Sequence, residues 1–198
     1  FKQFNDSFGY DPADKLLCEI ADRLSQNVQK VDILARVGGN EFACVVGCSP
    51  TFNVMDFAQR LFECVTGSHY EIMGQEVAMS CSVGVAMVPN DTQDIETLMK
   101  YTSLAVQKAK FQGGDQIQLF DESLKSFSRE RLEMEQELRK ALQQDQLEVY
   151  YQPKLSISQN KICSIEALIR WNHPTKGLIS PAEFVNIAEE SGLISELG

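Results

Sequence analysis

From Asp11 onward the apolar residues recur at helical steps. Leu17, Ile20, Ala21 and Leu24 share one face, Asp11 can cap the helix and Pro12 suits its first position. The pattern then changes to period two: Ile33, Ala35 and Val37 alternate, Gly38 and Gly39 interrupt, and Phe42, Cys44 and Val46 alternate again, which predicts a β-hairpin with glycines at its tip. Residues 52–65 place Val54, Phe57, Ala58, Leu61, Phe62 and Val65 on one helical face. A short strand, HYEIM, is followed after Gly74 by an apolar strand, EVAMSCSVGVAMV. A third helix is predicted from Ile95 to Phe111 and a last strand at QIQLF. The order up to Asp121 is helix, hairpin, helix, two strands, helix, strand, which predicts a two-layer α+β sandwich with a mainly antiparallel sheet.

Residues 122–144 are rich in charge and free of proline and glycine, with Glu135 four residues before Arg139, and predict a connecting helix. Leu124, Phe127, Arg131, Met134, Leu138 and Ala141 follow one another at steps of three and four, a seam interrupted by one arginine. Docking of that seam on neighbouring parts of the chain is the first expectation, and a dimer contact the second. After it come a strand at LEVYYQPKLSI, a polar turn at SQNK, a second strand at ICSIEALIRW, a loop WNHPTKGLISP and a helix from Ala182 to Glu190. Two strands and one helix cannot bury all they expose, so the chain is expected to end inside a domain.

With 43% apolar residues the composition is that of a core-forming chain and excludes a disordered tail. Acidic residues number 28 against 18 basic ones, giving a net charge of -10, which disfavours capture of DNA or RNA on a basic face. No run approaches the about 18 apolar residues of a membrane span, and the opening FKQFNDSFGY lacks the form of a leader. The expectation is a cytoplasmic chain, with room for an anchoring segment upstream of Phe1. Cysteines at 18, 44, 48, 64, 81 and 163 form no C-x-x-C, and His69 and His173 are far apart, so buried reduced thiols are expected rather than a zinc site or disulfides.

FKQFND at 1–6, GYDPAD at 9–14, GGNEF at 38–42 and SVGVA at 82–86 together resemble the GGDEF domain, the family that makes cyclic-di-GMP from two GTP molecules. SLAVQKAKFQGGD at 103–115 is similar to that family's helix ending in A-K-x-x-G-R-N. YYQP at 150–153, EALIRW at 166–171 and PAEFVNIAEESGLI at 181–194 resemble the start of the EAL domain, a phosphodiesterase that opens cyclic-di-GMP. Both motif sets stand in the order and spacing of tandem GGDEF-EAL proteins of bacterial signalling. The resemblance implies a nucleotidyl-cyclase-like, ferredoxin-like palm without its first strand over residues 1–121, a connecting helix over 122–144 and the opening of a (β/α)8-type barrel over 145–198. A sensory domain upstream of Phe1 is a further expectation, as is a homodimer through the connecting helix or the EAL edge.

For the cyclase-like half, the resemblance puts metal-binding acids at the third and fourth letters of GG(D/E)EF. Here the third is Asn40, an amide, while Glu41 is kept. Joining GTP molecules needs divalent ions, Mg²⁺ or Mn²⁺, held by carboxylates. Even about 3 kcal/mol of lost transition-state stabilisation is more than a hundredfold in rate, so weak or absent cyclase activity is expected. Lys110 stays in place for phosphate, but Gly114 and Asp115 replace an arginine and an asparagine; at the product-inhibition motif R-x-x-D, Gln29 replaces the arginine before Asp32. Asn5 and Asp14 match residues that read the guanine edge, and Lys2, Gly38 and Gly39 match nucleotide contacts. Taken without the family, Asp14 reads as a helix-start acid and Asn5 as a turn residue.

For the EAL-like half, Glu166 matches the first metal ligand, and Gln152, Leu168 and Arg170 match positions that line the cyclic-di-GMP site. Glu166 and Arg170 are four residues apart in one strand and so share a face. Their purely structural alternative is a strand carboxylate with Arg170 as its salt-bridge partner. His173 reads as a loop residue. Together these features predict a phosphodiesterase parent with a noncatalytic, GTP-binding GGNEF domain, the chain by itself being inactive because one carboxylate cannot hold a catalytic metal pair. A noncatalytic cyclic-di-GMP and GTP receptor and a weak diguanylate cyclase are the rivals.

Overall fold

The structure is a computed structural model that describes residues 1–47, 49 and 51–197, with Lys2 and Gln3 described by their backbone alone. It falls into two compact units, Phe1–Asp121 and Glu122–Gly198.

The first unit opens with a helix the hydrophobic pattern did not announce, α1 (Lys2–Phe8). Phe1, Phe4 and Phe8 stack in sequence along it, with ring centroids 6.0 and 4.8 Å apart. Gly9, at φ 84°, breaks the helix in a conformation few other residues adopt. Helix α2 (Tyr10–Ser25) then starts one residue before Asp11, so Asp11 lies in its first turn rather than capping it. Pro12 is tolerated there because the first N–H groups of a helix have no internal partner. Its buried face is Ala13, Leu16, Leu17, Ile20 and Leu24, of which Ala13, Leu16, Ile20 and Leu24 meet Val65, Tyr70 and Ile72 in the core.

The hairpin forms as expected from β1 (Ile33–Gly38) and β2 (Glu41–Val45): β2 keeps its expected residues Phe42 and Cys44 half-buried, whereas β1 turns the opposite face inward. Leu34 and Phe42 pack on the core, while Ile33 and Val37 are exposed. Both faces of β1 carry apolar residues, so alternation alone did not decide which one the helices cover. Helix α3 (Val54–Thr66) is capped by the Asn53 side chain, which accepts from the Met55 and Asp56 amides. All six residues of its predicted face are buried or half-buried.

The long apolar strand is two elements: β4 (Gln75–Val77) pairs with β3 (Tyr70–Ile72), whereas β5 (Val83–Val85) runs parallel to β6 (Ile117–Leu119). The parallel pair is made possible by α4 (Ile95–Phe111), which supplies the crossover a hairpin turn cannot. Thus, among the described residues, the strands of this unit form three two-stranded ladders rather than one antiparallel sheet.

In the second unit α5 (Ser123–Gln143) is the connecting helix. Met134, Leu138 and Ala141 of its seam pack with Trp171, Phe184 and Ala188, and Arg131 pairs with Glu190, so these positions serve packing within the chain. Strand β7 (Leu147–Ser156) pairs antiparallel with β8 (Lys161–His173), and the expected loop contains β9 (Gly177–Ile179) on the end of β8. Helix α6 (Pro181–Glu190) starts at a capping box of Ser180 and Glu183, and α7 (Ile194–Leu197) follows. Trp171 is fully buried edge-on to Phe184, and its Nε1 donates to Gln146.

His173 is a strand residue with only 8% of its side chain exposed, not part of a loop. Its Nδ1 accepts from the Thr175 and Lys176 amides, and Nε2 lies 3.6 Å from Glu137 on α5. Of the described thiols Cys18 and Cys163 are exposed, contrary to the buried expectation: Cys18 faces a surface groove and Cys163 lies in a hairpin open on both sides.

Candidate functional site

Two groups of candidate residues stand on the two units. In the first, Asn5 sits on α1 and Asp14 on α2, two helices joined at Gly9 and packed together through the Phe4, Ala13 and Leu16 core. The Asn5 side-chain oxygen is enclosed yet accepts no hydrogen bond. A buried acceptor left unmatched costs about 1–3 kcal/mol, so such an atom marks a place where a donor belongs. Asp14 is exposed. The Lys2 side chain lies outside the described residues.

Gly39 and Asn40 form the hairpin turn, closed by pairing of Gly38 with Glu41, and Gly39 adopts φ 45°. Arg36 Nε donates to the Gly39 carbonyl at 2.8 Å and ties the tip to its own strand. Asn40 and Glu41 both point to solvent. A groove of about 330 Å³ separates α2 from the hairpin, floored by Leu17, Ala21, Leu34 and Phe42 and edged by Asp22 and Arg36.

Lys110 is exposed in the last turn of α4. Beyond it Gly113, Gly114 and Asp115 all take positive φ, so an arginine at 114 would be forced into a strained backbone. Asp115 is exposed, and its carboxylate accepts from the Cys81 amide at 3.3 Å. Burial, with a smaller contribution from that carboxylate and Cys64, pushes the Cys81 thiol up to about 12 and leaves it unreactive. The Asp32 carboxylate is likewise engaged locally, accepting from the Gln29 amide at 2.8 Å. No hydrogen bond or ion pair among the described residues joins Lys110, the hairpin tip, Asn5 and Asp14.

The second group is assembled by register. Gln152 is opposite Glu166, Tyr150 opposite Leu168 and Glu148 opposite Arg170, so Gln152, Glu166, Leu168 and Arg170 share one face of β7 and β8. Arg170 is not the partner of Glu166. It donates to the Ile169 carbonyl at 2.8 Å and lies 5.8 Å above the Tyr150 ring, while Glu166 is paired with Lys154 at 3.0 Å. Neither Lys154 nor Tyr150 stood out in the sequence, although both share the alternation of Gln152. A second cavity, about 230 Å³, belongs to the apolar side of this hairpin, at Leu147, Val149 and Ile169, and is no part of that face.

The pattern described as diguanylate cyclase, GGDEF domain, matches residues 1–116, and that of the EAL domain matches residues 135–198. The chain belongs to the tandem GGDEF-EAL family. Over 197 aligned residues, covering 100% of this chain, it is 36% identical to the cyclic di-GMP phosphodiesterase NbdA of Pseudomonas aeruginosa, covering 25% of that protein. It is also 36% identical to the bifunctional diguanylate cyclase/cyclic di-GMP phosphodiesterase MucR of the same organism, covering 100% of this chain and 29% of that one. A solved EAL/GGDEF domain protein of M. capsulatus superposes with a TM-score of 0.56 at 30% identity, covering 61% of this chain and 77% of that one. The chain therefore spans about a quarter of the length of the curated relatives it matches.

GGDEF and EAL domains generally use divalent metal ions. Among the described residues no group of three or more His, Cys, Asp or Glu is placed to hold one. Glu41 stands beside an amide, and among the described residues Glu166 is paired with Lys154. These residues do not make a metal centre by themselves. No helix is long and apolar enough to cross a membrane among the described residues.

Proposed function

We propose that the chain is the junction of a cyclic-di-GMP phosphodiesterase in which the EAL domain hydrolyses and the GGNEF domain binds GTP without turning it over. The observation that carries the reading is the sheet face on which Gln152, Glu166, Leu168 and Arg170 converge. It offers a carboxylate for a cation, Mg²⁺ or Mn²⁺, and a guanidinium for the phosphodiester. At the other site Asn40 stands where an acid would be needed, and Gly114 and Asp115 supply no cation. GTP held near Asn5, Asp14 and Lys110 would shift the barrel's activity if its affinity differs between two states. Relatives named as phosphodiesterases match over the entire chain.

The deciding experiment is chromatography of the whole protein given cyclic-di-GMP with Mg²⁺ or Mn²⁺, with and without GTP. Linear product whose rate responds to GTP is expected. Bound cyclic-di-GMP with no linear product would replace the enzyme by a receptor, and cyclic-di-GMP formed from GTP would make it a weak cyclase. The Lys154–Glu166 pair is the feature that favours the receptor, since it leaves the carboxylate neutralised.

Asn5 separates recognition from folding. Asn5→Ala should weaken GTP binding about tenfold, the loss of one hydrogen bond to the base, without lowering the thermal midpoint, because the amide oxygen has no partner to lose. Calorimetric titration with GTP beside a thermal melt reads both; unchanged affinity would remove Asn5 from the nucleotide site.

A further inference from the structure

We propose that Tyr150 is a positioning residue for Arg170: its ring keeps the guanidinium away from the cross-strand carboxylate of Glu148 and so leaves its charge free for the phosphodiester. The inference rests on reading the β7–β8 face as the cyclic-di-GMP site.

The register sets Glu148 directly opposite Arg170, with Tyr150 the diagonal neighbour of Arg170 on the same face. Opposite charges placed directly across an antiparallel pair attract, and a diagonal neighbour is within reach of aromatic and long side chains. Yet no ion pair joins Glu148 and Arg170 among the described residues. The guanidinium carbon lies instead 5.8 Å from the centre of the Tyr150 ring, and one terminal N–H donates to the Ile169 carbonyl at 2.8 Å. Among the described residues Arg170 makes that hydrogen bond alone, so the rest of its donor fork stays open.

An exposed ion pair and an exposed cation–π contact are of similar strength, so the ring decides between two arrangements that are close in free energy. The consequences for a ligand differ. An arginine laid on an aromatic face keeps its charge and its in-plane donors, because stacking uses only the flat side of the guanidinium. An arginine paired with a carboxylate has both charge and donors occupied. Holding the side chain in place beforehand also removes rotamer freedom that binding would otherwise have to remove. Tyr150 is 47% exposed and Arg170 is half-buried, so ring and guanidinium meet where a ligand can reach them.

The first readout needs no ligand. In the 198-residue chain the Arg170 side-chain protons, assigned by their disappearance in Arg170→Met, should show a ring-current displacement that persists in Tyr150→Phe and vanishes in Tyr150→Leu. The second is equilibrium dialysis of labelled cyclic-di-GMP against the whole protein, with EDTA present so that the ligand is not consumed. Tyr150→Leu should raise the dissociation constant about two- to fivefold, Tyr150→Phe should leave it within about 1.5-fold, and Glu148→Gln added to Tyr150→Leu should restore it. In an Arg170→Met background Tyr150→Leu should change it by less than about 1.5-fold, since the two residues act through one interaction. Parent-like affinity in Tyr150→Leu, an equal loss in the Arg170→Met background, or no recovery with Glu148→Gln overturns the proposal. If the whole protein binds no cyclic-di-GMP, the reading of the face fails and the ring-current displacement decides alone: its loss in Tyr150→Leu sustains the hold on Arg170, and its absence from the parent chain overturns it.

Discussion

Gly84→Ala should destabilise the first unit by at least about 3 kcal/mol, seen as loss or a large downward shift of its urea midpoint. Strand β5 crosses α4 so closely that a methyl group on Gly84 would lie 2.3 Å from the Thr102 carbonyl oxygen and 2.7 Å from the Val106 nitrogen. Those are backbone atoms of a helix that is anchored by buried Tyr101, Leu104, Ala105 and Ala109. A flexible side chain could turn away; a helix backbone fixed by its core cannot, so strand and helix must separate and lose the packing between them. Gly47→Ala is the matched control, because a Cβ there meets nothing within 4 Å, and its midpoint should stay within about 0.5 kcal/mol of the parent. A Gly84→Ala protein as stable as that control would show that the strand has room to shift.

Gly84 belongs to SVGVA, a stretch recognisable by resemblance, yet its physical reason was not readable from the chain alone. Nothing in the residues told which helix backbone would approach it. The same limit explains the hairpin. Ile33, Ala35 and Val37 announced a strand correctly, but Leu34 lies between them, and only the position of α2 makes Leu34 the inward residue. Helices α3 and α4 and the connecting helix were legible because their apolar residues repeat over three or more turns. Helix α1 has only seven residues and its packing is carried by stacked phenylalanines, a spacing too short to stand out from a turn-rich opening. Strand β9, with three residues, is held by pairing with β8 rather than by its own pattern.

The candidate sites divide along the same line. Which residues carry chemistry was read from motifs, residue by residue, but their partners depend on register. The shift in pairing between Lys154 and Leu155 is invisible in the sequence, and it lies next to the diagonal contact between Lys154 and Glu166. Asp115 was readable as the replacement of an asparagine, but the hydrogen bond that its carboxylate accepts from the Cys81 amide depends on the tertiary fold.

Glu166→Gln should reduce cyclic-di-GMP hydrolysis by the whole protein at least about a hundredfold while leaving ligand binding largely in place. The change keeps size and shape and removes the charge. An amide offers a hard cation far less attraction than a carboxylate, and about 2.7 kcal/mol of lost transition-state stabilisation already corresponds to a hundredfold. Stability should barely move, because the interaction lost in the fold is a half-exposed pair with Lys154. Arg170, Gln152 and Leu168 remain on the same face to hold the ligand, so the dissociation constant for cyclic-di-GMP should change by less than about tenfold while turnover collapses. Stopped-time chromatography for the linear product, beside equilibrium dialysis of the labelled ligand, separates the two quantities. Undiminished hydrolysis would mean that Glu166 is a strand carboxylate serving only Lys154. Weaker binding with turnover at saturation unchanged would instead make it a ligand contact, because losing an interaction equally strong in ground and transition states lowers affinity without slowing the chemical step.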